Sequence, residues 1–146
     1  MAISASTVTT SFKTQVLQGT HNFTASSGDT FKIGLYTNSS ALAASTATYG
    51  DGTATNEVTG TGYSAGGNTL TSVTPVADGT TAVCDFADTS WTSATITAYG
   101  ALIYNSSESN KSVCVLNFGG DKTCTSGTFT IQFPTADASN AILRLA

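Results

Sequence analysis

His21 is the only imidazole in the chain's 146 residues and sits in Gly19-Thr-His-Asn-Phe23. A nucleophile–histidine–acid relay would have to be assembled around it, with the ring taking a proton from a hydroxyl. Ser and Thr make up almost a third of the chain, so many hydroxyls fit that role and none is singled out. The plainer reading is a His bonded to a backbone group in a loop. Asp85 and Asp88, in Cys84-Asp-Phe-Ala-Asp-Thr-Ser-Trp91, are the best candidates for paired carboxylates or a cation site. General acid–base work needs two carboxyls facing one cleft, and a hard cation needs several converging oxygens. Alternation puts Asp85 on the face opposite Cys84 and Phe86. Asp88 falls at the strand end, where it is expected to cap a turn by accepting amides before Trp91.

Gly60-Thr-Gly62 and Gly66-Gly67 have the composition of a phosphate loop, but strand-like sequence follows them and no Gly-Lys-Ser/Thr occurs. A phosphate site needs a helix N-terminus behind the glycines, so these read as turn glycines. Cys84, Cys114 and Cys124 form an odd set without CxxC spacing. Cys84 and Cys114 alternate with inward residues, so core filling is the expected role rather than zinc binding or a disulfide. Trp91, Tyr36, Tyr49, Tyr63 and Tyr99 could form a sugar platform, although aromatics in a small β protein more often fill its core. The residues themselves therefore yield no catalytic group, no cofactor and no metal site.

The elements that carry these residues are mostly strands. Phe31, Ile33 and Leu35 alternate with Lys32, Gly34 and Tyr36, the period of a half-buried strand. Asn68 to Val76 and Thr80 to Ala87 flank Asp78-Gly79, a hairpin signal. Ala94 to Asn105 predicts a strand with Ile96, Ala98, Gly100, Leu102 and Tyr104 on one side. Ser112 to Phe118 predicts another, with Cys114, Leu116 and Phe118 inward, and Gly119-Gly120-Asp121 predicts a turn after it. Thr128 to Phe133 and Ala141 to Leu145 complete the set, and Glu57 to Tyr63 predicts a short edge strand. One helix is expected, over Thr10 to Gly19, capped by Thr10 or Ser11 and closed by Gly19. Met1 to Thr10 reads as a flexible arm, leaving 11–146 as the domain. The expectation is an all-β, single antiparallel β-sandwich, jelly-roll or Ig-like, of roughly eight strands, with one short N-terminal helix.

Composition narrows the functional classes. The length suits one domain, able to bury roughly two thirds of its unfolded surface. Only 10% of residues are charged, and the five Lys and Arg against a net charge of −4 argue against nucleic acid, which needs clustered cations. No apolar run is long enough to span a membrane. The Met1 to Val8 stretch has neither the basic nor the apolar segment of a signal peptide. Buried free thiols suit a protein made in a reducing compartment.

Several segments together carry a resemblance. Leu17-Gln-Gly-Thr-His-Asn-Phe23 leads into Phe31-Lys-Ile-Gly-Leu-Tyr-Thr37, and Asn56-Glu-Val-Thr-Gly-Thr-Gly-Tyr-Ser-Ala-Gly-Gly67 follows. Then come Asp85-Phe-Ala-Asp-Thr-Ser-Trp91 running on to Ala98-Tyr-Gly-Ala-Leu-Ile-Tyr-Asn105, Val115-Leu-Asn-Phe-Gly-Gly-Asp-Lys122, Phe129-Thr-Ile-Gln-Phe-Pro134 and Asn140-Ala-Ile-Leu-Arg144. From Ser11 to Arg144 the chain resembles small virion structural proteins of tailed bacteriophages, of the aquatic and cyanobacterial type. The resemblance implies a capsid decoration (cement) protein, a trimer that binds the outside of the shell and clamps neighbouring copies of the major capsid protein. It implies synthesis in the bacterial host cytoplasm, residence on the virion surface and no catalytic residue. The alternatives are a tail or head-fibre module for receptor or glycan binding, or a tail adaptor or tube protein. A cement role points to three contact surfaces. The arm, with Ile3 and Val8, would add as a strand to a capsid edge. Leu42 to Tyr63 would present Tyr49 and Tyr63 as anchors. Tyr36 and Ile142, outward on the sheet, would meet sister subunits.

Overall fold

The computed structural model describes residues 3–146. In chain order the elements are β1 (Thr7–Val8), α1 (Thr10–Leu17), β2 (Phe31–Tyr36), β3 (Asn68–Thr69), β4 (Ser72–Asp78), β5 (Thr81–Phe86), β6 (Thr89–Asn105), β7 (Lys111–Ile131) and β8 (Leu143–Leu145). They form two sheets in which every pairing is antiparallel, ordered β1-β7-β6-β2-β3 and β4-β5-β8. The protein is an all-β sandwich of eight strands with one short α-helix near its N-terminus, as the alternation predicts.

Two apolar layers hold it together. Phe31, Ile33 and Leu35 of β2 join Ala98, Ala101 and Ile103 of β6 in the main core, against Cys84, Phe86 and Leu143 of the smaller sheet. The other face of the large sheet is also covered. Tyr36, Leu102, Tyr104 and Val115 pack there with Ile3 and with Leu42 from the long loop after β2. Strand alternation places Tyr36 opposite Phe31, as expected, but that face is a second core and Tyr36 is 0% exposed. It cannot meet a sister subunit.

Bulges account for most departures from the simple alternation. Gly119-Gly120-Asp121 does not end a strand, because β7 continues through it to Ile131. Between the pairs Ala98↔Lys122 and Gly100↔Asn117, two steps on β6 face five on β7, so the three surplus residues bulge out. Asn117 Oδ1 accepts the Gly119 amide at 2.7 Å to hold that bulge. The same irregularity changes which residues of β6 face inward. Ile96 and Ala98 belong to the main core, but after the shift Ala101 and Ile103 do, while Leu102 and Tyr104 join the second layer. The predicted single face from Ile96 to Tyr104 is therefore two faces. Glu57 to Tyr63 makes only two isolated bridges, Tyr36↔Glu57 and Thr61↔Thr95, and is not a strand. The β4–β5 hairpin forms as predicted, but Asp78 pairs with Thr81, so the turn is Gly79-Thr80, with Gly79 at φ 61°, and not Asp78-Gly79.

The N-terminal segment is part of the sandwich. Thr7 pairs with Val115 and Val8 with Cys114. The Asn117 amide side chain donates to the Ile3 carbonyl at 2.9 Å, and the Asn117 backbone N–H donates to Ser6 Oγ at 2.9 Å. Ile3 is 1% exposed and lies against Gly100, where a Cβ would come within 2.5 Å of the Ile3 Cδ1. Residues 3–10 thus correct the expectation of a flexible arm, and Ile3 is no free anchor; Met1 and Ala2 lie outside the described residues. Thr9, not Thr10 or Ser11, occupies the helix N-cap, and its side chain makes no capping bond. Its hydroxyl instead donates to the Val113 carbonyl at 3.3 Å and accepts from Ser112 at 2.8 Å. Gly19, at φ 72°, closes the helix as predicted.

Candidate partner-binding surfaces

The residues with chemical potential are engaged in holding the fold. Asn105 at the end of β6 is fully buried. Its side-chain amide donates to Asp29 Oδ2 at 2.8 Å and reaches His21 Nδ1 at 3.0 Å. A donor at Nδ1 makes that nitrogen the acceptor, so the proton sits on Nε2 and is donated to Gln15 Oε1 at 2.8 Å. Burial lowers the His21 pKa, with Asp29 opposing, in keeping with a neutral ring. His21 therefore ties α1 to the end of β6 through side chains, and not through the loop backbone as expected. Asp88 accepts the Phe133 amide at 2.8 Å and so pins the chain after β7, rather than capping its own turn. Asp85 is opposite Val73 on the outer face of β5, as its alternation predicted.

Cys84 and Cys114 are buried free thiols, and Cys124 is a half-buried one. Burial pushes both Cys84 and Cys114 up to about 12, so neither is a thiolate near neutrality. Among the described residues no group of three or more His, Cys, Asp or Glu side chains is placed to hold a metal ion. No helix among them is long and apolar enough to cross a membrane.

Tyr49 and Tyr63, the predicted anchors, converge on a residue that the sequence reading passed over. The Glu57 carboxylate accepts the Tyr63 hydroxyl at 2.7 Å on Oε1 and the Tyr49 hydroxyl at 2.8 Å on Oε2. The Gly66 amide also donates to Oε1, at 2.7 Å. Tyr63 in turn accepts the Leu35 amide at 2.8 Å, and Tyr104 donates to the Gly66 carbonyl at 2.7 Å. The Tyr49 ring stacks on Tyr104 with centroids 4.6 Å apart. Burial, then the Glu57 bond, pushes Tyr49 up to about 12, and burial followed by the same carboxylate raises Tyr63. Gly67 lets this loop lie on β2, since a Cβ there would fall 1.7 Å from the Ile33 carbonyl oxygen. The segment is a clamp over the large sheet, and both tyrosines are half-buried in it. A lone Glu between Tyr-bearing loops was the only available clue, and no alternation marks it.

Asp51 organises the loop preceding the clamp. Burial would raise its pKa, but bonds from the Thr53 hydroxyl and the Ala47, Thr53 and Thr48 amides hold it at about 2.

Grooves lie at two places among the described residues. A cavity of about 540 Å³ lies between β7 and the C-terminal segment, lined by Leu116, Phe118, Phe129, Phe133 and Ile142 among others. Ile142 is half-buried in its wall, so of the predicted contact residues it faces a concave surface rather than a flat one. A second cavity of about 490 Å³ separates α1 from the small sheet. Phe12, Val16, Phe23 and Leu143 line it, with Val8 of β1 at one side. Leu17 and Leu145, 90% and 64% exposed, form its lips. Helix α1 and the C-terminus are thus brought together, which strand patterns alone could not reveal. The chain matches no family model, no curated protein and no solved structure.

Proposed function

We propose that this chain is a virion structural protein of a tailed bacteriophage, a decoration (cement) protein that binds the outside of the head shell as a homotrimer and braces the major capsid protein. The observation that carries this reading is where the side chains are spent. His21, Asp88, Asn105 and Glu57 each bond other parts of the same chain, while apolar side chains line two surface grooves. A molecule so arranged is suited to rigid contact with neighbours. The segments from Ser11 to Arg144 that resemble phage structural proteins support the same reading, as do buried thiols suited to synthesis in a reducing host cytoplasm. Repetition over a symmetric shell would let modest contacts act together.

The alternative of a glycan-binding fibre module is less favoured. Stacking on a sugar needs an open aromatic face, and Tyr49 has one face on Tyr104 and its hydroxyl on Glu57. Quantitative mass spectrometry of purified virions that encode the chain tests the proposal. Hundreds of copies per particle are expected; a handful would place it on the tail and overturn the decoration role.

A further inference from the structure

We propose that His21 is a proton-operated latch: when its ring takes a second proton, the C-terminal half of α1 and the loop behind it, residues 14–21, let go of the end of β6. The latch is independent of the decoration role and stands on the hydrogen bonds around one ring nitrogen.

His21 joins two parts of the molecule through its two nitrogens. Nε2 donates to Gln15 Oε1 of α1 at 2.8 Å, a bond that survives protonation. Nδ1 accepts from the Asn105 side-chain amide at 3.0 Å. That second bond does not survive, because two other partners fix which way the amide points. Asn105 Oδ1 accepts the Ser107 backbone N–H at 3.1 Å, and its nitrogen donates to Asp29 Oδ2 at 2.8 Å. Turned round, the amide would set N–H against N–H at Ser107 and oxygen against carboxylate at Asp29. Asn105 is fully buried, so solvent does not stand in for the missing acceptor. A proton on Nδ1 therefore meets a donor, and an unpaired donor in a buried place is costly. Asp29 is the nearest anion, but its Oδ2 already accepts from Asn105 and from the Asn22 backbone N–H. Reaching it also requires the ring to leave Asn105.

The segment that would move is weakly held elsewhere. Helix α1 has eight residues and no side-chain bond at its N-cap, too few to persist once undocked. Its first turn stays tied, since the Thr10 N–H donates to the Ala44 carbonyl at 2.8 Å. The chain is tied again at Asn22 by Asp29. Between these points the bridge from Gln15 through His21 to Asn105 is the polar link to β6.

The charged groups acting on the ring are Asp29 and Glu108, which favour its protonation, and Lys111, which opposes it. Burial outweighs them and lowers the His21 pKa from the usual 6.5. In the released segment the ring returns toward 6.5. Protons therefore favour release as pH falls below 6.5, and the bias is complete once pH has passed the lowered value.

The test is NMR on the intact, isotope-labelled protein between about pH 7.5 and 4.5. The His21 ring is expected to titrate below 6.5. After correction for intrinsic rates, the amides of Val16, Leu17, Gln18 and Thr20 should exchange about fivefold faster in acid, with the ring's own midpoint. Ile103 and Val113 should stay protected, which separates local release from global unfolding. His21→Asn keeps an acceptor for Asn105 but does not titrate, so its α1 exchange should be flat over the same range. The wild-type readings stand even if that variant fails to fold. Flat α1 exchange while His21 titrates, a ring midpoint at or above 6.5, an acid midpoint that persists in His21→Asn, or simultaneous loss of protection in α1 and the core would each overturn the inference.

Discussion

Replacing Ile3 by Ala should destabilise the whole domain, although the residue stands at the very beginning of the chain. Ile3 is 1% exposed and packs with Tyr36, Leu42, Leu102, Tyr104 and Val115 in the second apolar layer. The change removes three carbons, about 2.5 kcal/mol of transfer free energy at ~0.8 kcal/mol each. Gly100 leaves no side chain to refill the space, so a cavity contribution brings the total to about 3–4 kcal/mol. Peeling of residues 3–8 sets a limit on that loss, since the segment is held by two β1 pairs and the Asn117 bonds. For a domain of this size the melting temperature should fall by about 10 °C. Urea unfolding of both proteins gives the difference, and hydrogen exchange at Thr7 and Val8 reports whether the segment detaches first. A loss below about 0.5 kcal/mol, typical of an exposed position, would refute the packing argument and restore the flexible arm.

Glu57→Ala should cost about 3 kcal/mol in urea unfolding, because three donors lose a charged acceptor, and Glu57→Gln should cost less since it keeps one acceptor oxygen. Asp51 has a folded pKa of about 2 against an ordinary 3.8, so its contribution is complete above pH 4 or so and fades as pH falls toward 2. Asp51→Asn should therefore be less stable by about 1 kcal/mol near neutrality, after allowing for the solvent around this part-exposed group, and the gap should close in acid unfolding curves taken toward pH 2. An aromatic disulfide reagent at neutral pH should titrate Cys124 rapidly in the native protein, and Cys84 and Cys114 only at the rate of unfolding.

Strand positions were legible because alternation reports directly on a half-buried pleat, as in Phe31-Lys-Ile-Gly-Leu-Tyr36. What period two does not report is what lies on the second face. Alternation turns Tyr36 outward from the main core, as observed, but the loop bearing Leu42 and the segment bearing Ile3 cover it. The Gly119-Gly120 pair is a turn signal by composition, yet β6 stays paired on both sides of it, and only long-range pairing decides between a turn and a bulge. The Asn105–His21 bridge joins residues far apart in sequence, and the Glu57 clamp, although its partners Tyr49, Tyr63 and Gly66 are close in sequence, lies in a loop where no alternation marks it. Asp88 illustrates the same limit: it accepts a backbone amide as its capping chemistry suggests, but that amide belongs to Phe133, in the chain after β7. The groove beside β8 depends on α1 stopping short of the sheet it faces, which is a matter of packing and not of motif.

A cryo-EM map of the intact virion tests the decoration role most directly. The account predicts an eight-stranded sandwich in repeated copies on the outer head surface, seated on the major capsid protein. A head surface without it, with the chain found only in the tail, would contradict the account.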